Sequence, residues 1–225
     1  MAGHRQNRLS LLDNELCTAF CAFERDFMEF RGKITTEKLF DEEVIQKAVF
    51  MEQIHSNEVL FYEPEKDLYT CDGLICSEAN VALCVLSADC LPLLLWHKSG
   101  IIAALHSGRK GTFVNILSRA VLAINKGYES LKNDDFTLII APSICTHHYA
   151  LSGELLNYAQ KNFGEFLQGN LLDLKGIVKK QARDLGILDI KDCGICTFDD
   201  ERFFSYRRNQ TQQRFVSVIV LKGRK

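Results

Sequence analysis

The chain has 225 residues, of which 27 are basic and 29 acidic, with 47% hydrophobic residues. The near balance of charge argues against a nucleic-acid surface or a polyanionic partner and favours a small soluble substrate. No apolar run approaches the roughly 20 residues that span a bilayer, so no membrane partner is expected.

The length suffices for one well-buried core, and no Pro-, Gly- or Ser-rich linker interrupts it, so residues 1–225 are expected to form a single domain. The opening MAGHRQNRLS lacks the apolar core of a secretory signal, which points to the cytoplasm. Nine cysteines, an odd number, then read as reduced thiols rather than a disulfide framework. Cys17, Cys71, Cys76, Cys84 and Cys145 sit in or beside apolar runs and are expected to be small core residues.

In chain order, Leu16 to Phe23 reads as a strand. After Thr36, the residues Leu39, Phe40, Val44, Ile45, Ala48 and Val49 recur at helical spacing and predict a helix leading towards His55. Val81 to Leu86 predicts a buried strand, and Leu91 to Trp96, a turn at Lys98-Ser99-Gly100 and Ile101 to His106 predict a hairpin. From Thr112 onward, Phe113, Ile116, Leu117, Ala120, Val121 and Ile124 predict a helix. A short strand from Thr137, helices over Glu154 to Leu167 and Asp173 to Leu185, and strands within Ile187 to Phe198 and over Phe215 to Leu221 complete the pattern. The antiparallel pairing near Trp96 predicts α+β layering rather than a doubly wound sheet.

Three segments carry a candidate metal site: EQIH ending at His55, SADCLP holding Cys90, and ALHSGRKG holding His106. A thiolate with two imidazoles is a set that binds zinc and leaves one coordination position open. With the hairpin folded about Lys98 and Ser99, Cys90 and His106 emerge at one end of neighbouring strands, where opposed side chains stand ~5 Å apart. A cysteine beside a strand-end histidine also occurs without a metal, and local geometry does not place His55. Asp89 and Asp72 are candidates to fix an imidazole tautomer; for Asp72, followed by Gly73, a turn-capping role is the stronger reading.

Positive groups follow His106 in Ser107-Gly108-Arg109-Lys110-Gly111-Thr112, where a helix starts, and suit an anion such as phosphate as well as a solvated turn. Ser205-Tyr206-Arg207-Arg208 forms a second cationic cluster for an anionic or planar part of a substrate. Cys193-Gly-Ile-Cys196 has the spacing of a redox pair or half a zinc site, but IKDCGICTF reads as a strand that would turn the two thiols to opposite faces. His147 and His148 are potential ligands or ordinary loop residues.

Together, QIHSNEV, SADCLPLLL, ALHSGRKG, APSICTHHYAL and CTFDDERFFSYRRNQTQQR resemble, in order, the motifs of the YfiH-type laccase-domain (multicopper polyphenol oxidase) family, whose members are also described as purine nucleoside phosphorylases. The resemblance implies that His55, Cys90 and His106 hold zinc, with copper the lesser candidate. It implies an α-β-β-α sandwich similar to the catalytic domain of cytotoxic necrotizing factor. It also implies phosphorolysis of purine nucleosides (adenosine, inosine, guanosine and methylthioadenosine) with phosphate, and adenosine deamination. Cys90, His106 and Asp89 are then the expected catalytic groups, and Arg109, Lys110, Arg207 and Arg208 the substrate and phosphate ligands. Related proteins are described as peptidoglycan editing factors, so a cysteine amide hydrolase using Cys90 and His106 is the alternative. A copper oxidase is disfavoured by six histidines and by the lack of a methionine near Cys90. Arg109-Lys110 replaces the family's Trp-Arg, His147-His148 replaces its Cys-Cys, and its S-L-N-L-G stretch has no counterpart before Thr36.

Overall fold

The computed structural model describes residues 8–23, 25–36, 38–40 and 42–223. The chain opens with β1 (Arg8–Asp13), β2 (Cys17–Ala22), β3 (Ile34–Thr35), β4 (Lys47–Phe50), β5 (Val59–Phe61) and β6 (Gly73–Cys76). The long strands β7 (Val81–Ser87), β8 (Leu91–His97) and β9 (Ile101–Ser107) lead into α1 (Arg109–Phe113) and α2 (Ile116–Gly127). There follow β10 (Phe136–Ile140), α3 (Gly153–Phe163), β11 (Leu167–Gln168), β12 (Leu171–Leu172) and α4 (Leu174–Asp184). The chain closes with β13 (Asp189–Asp192), α5 (Tyr206–Asn209) and β14 (Phe215–Leu221).

The near-continuous apolar runs of β7, β8, β9 and β14 suit strands buried on both faces, and two six-stranded sheets provide that burial. The first sheet has the order β1-β2-β14-β7-β4-β3 and the second β13-β10-β8-β9-β6-β5. They stack face to face over a shared layer that takes Val49, Leu83, Val85 and Ile219 from the first and Leu74, Leu94, Ile102 and Ala104 from the second. On the outer face of the second sheet, Leu117, Val121 and Ile124 of α2 and Ile177 and Val178 of α4 pack on Leu93, Leu95, Leu105 and Leu138. Asn115 caps α2 by accepting from Ser118 N–H at 3.0 Å, and Asp173 caps α4 by accepting from Gly176 N–H at 2.9 Å.

The outer face of the first sheet is covered differently. Phe27, Phe30 and Phe40, from a 3₁₀ turn and irregular chain, lie over Phe20, Phe50 and Val218. The Phe20 and Phe40 rings meet edge to face at 5.3 Å, and those of Phe30 and Phe50 stack at 5.4 Å. Fully burying each such ring stabilises the fold by about 1.5–3 kcal/mol, so aromatic bulk does there what a helix does on the opposite side. The architecture is the expected α+β layering with two central sheets.

The helix expected after Thr36 does not form among the described residues; Glu37 and Asp41 of that segment, like residues 1–7, lie outside them. Lys47–Phe50 instead pairs in parallel with β7, Ala48 opposite Ala82 and Val49 opposite Leu83. Ala48 and Phe50 then face the aromatic layer and Val49 the layer between the sheets. A four-residue strand with three apolar residues carries no period long enough to separate helix from strand, and tertiary pairing decides it. No helix of the described residues is long and apolar enough to cross a membrane.

Candidate metal centre

β7 belongs to the first sheet and β8 to the second, so the chain changes sheets through Ser87-Ala88-Asp89-Cys90. Asp89 adopts φ +99°, a conformation that a non-glycine residue holds only when its surroundings require it. Its carboxylate accepts from Thr197 Oγ1 at 2.7 Å and from Arg207 N–H at 2.6 Å. Asp89 therefore does not orient a histidine as expected; it fastens the Cys90 turn to the chain leading into α5.

The hairpin forms, but His106 lies opposite Pro92 rather than Cys90, because the loop is centred on Ser99. Gly100, at φ +84°, supplies the left-handed residue that this loop needs. Cys90 then reaches Gly108, where a Cβ would stand 2.9 Å from Cys90 Sγ and 3.4 Å from His55 Cδ2. Glycine at 108 is what lets the thiol and the imidazole approach.

His55 enters from the loop between β4 and β5 at φ +59°. Two anchors hold that loop. The Gln53 amide donates to Leu86 O at 2.9 Å and accepts from Leu86 N–H at 2.8 Å, mimicking a strand partner to β7. The fully buried Asp72 carboxylate accepts from the N–H groups of His55 at 3.0 Å and Ser56 at 2.6 Å, and from Ser56 Oγ at 2.7 Å. It also faces His106 Nδ1 at 2.8 Å. Asp72 is thus not the turn residue expected: it holds His106 Nδ1, which leaves Nε2 to face Cys90 or a metal, and secures the His55 loop with the same group.

These constraints bring the donor atoms of His55, Cys90 and His106 within 4.8 Å of one another. The two imidazoles meet edge to face, 4.7 Å between centroids at 86°. His106 is buried, Cys90 half-buried and His55 exposed, so the centre opens on the His55 side.

Burial opposes charge on all three linked groups, yet mutual attraction prevails. Burial pushes the Cys90 thiol up, but the His106 charge and hydrogen bonds from His106 and His55 bring it down to about 6. Burial lowers His106, but the Cys90 charge and the bonds to Asp72 and Cys90 raise it to about 9. Burial raises Asp72, and its bonds from His106 and Ser56 hold it at about 2. The residues provide a thiolate where a soft cation would sit.

Arg109 opens α1 next to Gly108. Lys110 beside it is exposed, and no hydrogen bond or ion pair ties it to the centre among the described residues. The Arg207 guanidinium lies 4.9 Å from the Tyr149 ring centroid and donates to Ala150 O at 3.2 Å. Burial and the Cys90 charge raise the Tyr149 phenol, while the Arg109 and Arg207 charges lower it. Arg208 departs from its expected role as a substrate ligand: its guanidinium donates to the carbonyls of Thr197 (2.7 Å), Phe198 (3.0 Å) and Phe203 (2.7 Å) and clasps its own loop.

The strand expected through IKDCGICTF ends at Asp192, and Gly194 turns the chain at φ +73°. Cys193 and Cys196 are therefore not strand neighbours on opposite faces. Cys196 meets Cys145, which is half-buried rather than in the core; Cys17, Cys71, Cys76 and Cys84 are buried as expected. Gln53, Gly108, Tyr149 and Thr197 were not singled out from the sequence. For the first, the position two before His55 is a signal in retrospect.

A Campylobacter jejuni protein named purine nucleoside phosphorylase is 55% identical over 99% of this chain and 100% of its own length. Among solved structures, the Neisseria meningitidis protein NMB0706 superposes with a TM-score of 0.77 at 18% identity, covering 97% of this chain and all of that one. Bacillus licheniformis YfiH superposes at 0.73 and 21% identity, covering 92% of this chain and 93% of that one. Residues 34–222 match the family described as multi-copper polyphenol oxidoreductase laccase, and it is to this family, with its YfiH-like fold, that the chain belongs.

Proposed function

We propose that the protein is a zinc-dependent purine nucleoside phosphorylase that cleaves adenosine, inosine, guanosine and methylthioadenosine with phosphate, adenosine deamination being a second reaction of the same centre. The observation that carries this reading is the convergence of one thiolate and two imidazoles, with Asp72 orienting His106, where Arg109 follows Gly108 and the Arg207 segment is tied to Asp89 next to Cys90. The name of the Campylobacter jejuni relative supports the reaction class.

The donor set fits zinc. Three protein ligands of mixed sulfur and nitrogen character are the pattern of a catalytic site. A type 1 copper centre adds a weak axial ligand, commonly methionine, and Met51 is buried in the layer between the sheets. When bound, the ion supplies a Lewis-acid centre with an open coordination position. The chain's own residues do the rest. Asp72 keeps the His106 proton on Nδ1. Arg109 and Arg207 provide positive charge for phosphate, and the Tyr149 face with the Arg207 guanidinium provides a planar surface for a base. In phosphorolysis a phosphate oxygen forms the new bond to the anomeric carbon as the bond to the base nitrogen breaks, and these cations orient the nucleophile.

One observation favours a second reading. Cys90, held at about 6 beside His106, is also the thiolate and imidazole pair of a cysteine amide hydrolase, as in peptidoglycan editing. The deciding experiment incubates the protein and its His106→Ala variant with adenosine, inosine and phosphate. Phosphate-dependent release of free base by the wild type and not by the variant supports the phosphorylase. Full amidase activity in metal-free protein, with no base released, overturns it.

A further inference from the structure

A second group of soft donors lies at the ends of two neighbouring strands. β10 and β13 run parallel, with Thr137 opposite Asp189 and Ile140 opposite Asp192, so the segments leaving them emerge side by side. Ser143 bridges to Cys196, and Thr197 N–H donates to Ser143 O at 3.2 Å. This pairing sets Cys145 against Cys196, whose Sγ accepts from Cys145 N–H at 3.2 Å. The 3₁₀ turn Thr146–His148 then carries His148 back over the second segment, where its ring stacks on Phe198 at 3.9 Å. His148 Nε2 meets Asp199 Oδ1 at 2.7 Å, and Cys145 Sγ lies 4.0 Å from Asp199 Oδ2. One donor atom from each of Cys145, His148, Cys196 and Asp199 falls within 4.8 Å of the others.

We infer that Cys145, His148, Cys196 and Asp199 form a second zinc site. Two thiolates, an imidazole and a carboxylate are four ligands of the types that zinc takes in tetrahedral coordination, at about 2.0–2.3 Å from the ion. Sulfur donors select against magnesium and calcium. Four protein ligands make the site closed, in contrast to the three-ligand centre at Cys90, and a closed site is structural. Its position states what it braces. Tyr149 follows His148 directly, and Thr197, between Cys196 and Phe198, bonds Asp89 beside Cys90. The ion clamps together the two loops that wall the first centre.

The test is metal counting on chelator-stripped protein reloaded with Zn²⁺ under reducing conditions. Wild type is expected to retain two equivalents, Cys196→Ser one and His106→Ala one. Asp199→Ala, at an exposed position, is expected to lose the second equivalent under competition from a chelator. Loading the His106→Ala variant with Co²⁺ isolates the second site and is expected to give sulfur-to-cobalt charge-transfer and tetrahedral d–d absorption, lost in the added Cys145→Ser change. One equivalent in wild type that His106→Ala removes would overturn the second site and leave the first standing; two equivalents in Cys196→Ser would overturn it as well. So would a Cys145–Cys196 disulfide in the zinc-loaded protein. A first site that fails shows instead as one equivalent in wild type that His106→Ala leaves in place and Cys196→Ser removes.

Discussion

Asp72 accepts from His106 Nδ1 at 2.8 Å while the same carboxylate accepts from the main-chain N–H of His55 at 3.0 Å, so one buried group sets the positions of two of the three inferred ligands. An amide in its place presents N–H where an acceptor is needed. Asp72→Asn is therefore expected to weaken zinc binding by about 10–100-fold, as loss of an orienting carboxylate does elsewhere. A chelator competition titration measures this; unchanged affinity would mean that the imidazoles are held by packing alone.

The same carboxylate links stability to acid. Its folded value, about 2, lies below the ordinary 3.8, so the stability it contributes is fully present above pH 3.8 and is lost as pH falls through about 2. The contribution is about 2 kcal/mol. Acid unfolding of metal-free wild type and Asp72→Asn, followed by circular dichroism, should therefore converge towards pH 2 and separate above pH 4. Parallel curves at every pH would sink this account.

Cys90 and His106 make the opposite pair of statements about metal-free protein. The Cys90 value is depressed to about 6, so its stabilising charge is lost as pH falls through 6; the His106 value is raised to about 9, so its charge is lost as pH rises through 9. Iodoacetamide should label Cys90 with a midpoint near pH 6. Cys17 and Cys71, whose thiols burial pushes up to about 12, and Cys76, pushed up to about 11, should stay unlabelled in the folded protein. Mass spectrometry of the alkylated peptides reads both, and a Cys90 midpoint near its ordinary value would refute the ion pair.

How much of this centre the sequence revealed follows from how each residue is held. Cys90 and His106 were legible because a hairpin joins them, and an error of one residue in the turn still left them at the same strand end. His55 is a candidate by residue type and by resemblance, but local pattern does not place it, because its position depends on Gln53 reaching Leu86 and on Asp72, contacts made far along the chain. The Phe27, Phe30 and Phe40 layer was invisible for a similar reason: irregular chain has no period, and the apolar residues from Leu39 to Val49 matched a helix by spacing alone. Cys145 looked like a core residue because Leu138, Ile139 and Ile140 before it are buried; its partner Cys196 lies on another strand end. Local patterns identify elements and hairpin partners, whereas loops that close a site are set by long-range hydrogen bonds.

Gly108 offers a local test of the metal geometry. Its φ of −69° is open to any residue, so an alanine there leaves the backbone unstrained while its Cβ approaches Cys90 Sγ to 2.9 Å. Gly108→Ala is expected to keep the fold by circular dichroism and to lose zinc at the first centre. Retention of tight binding would show that the Cys90 loop yields and that glycine is not what admits the ligands.

Asp89 separates positioning from chemistry. Its two oxygens accept from Thr197 Oγ1 and Arg207 N–H, which tie the Cys90 turn to the segment that carries Arg207. Asp89→Ala leaves the buried Thr197 hydroxyl unpaired, at about 1–3 kcal/mol, and frees the Arg207 segment from the Cys90 turn. The expected phenotype is lower thermal stability and a raised KM for phosphate, with zinc at the first centre retained and kcat at saturating phosphate changed far less than kcat/KM. Arg207→Ala should raise the same KM without the loss of stability, because its main-chain N–H still bonds Asp89. A collapse of kcat in Asp89→Ala at unchanged phosphate KM would instead return Asp89 to the reacting groups.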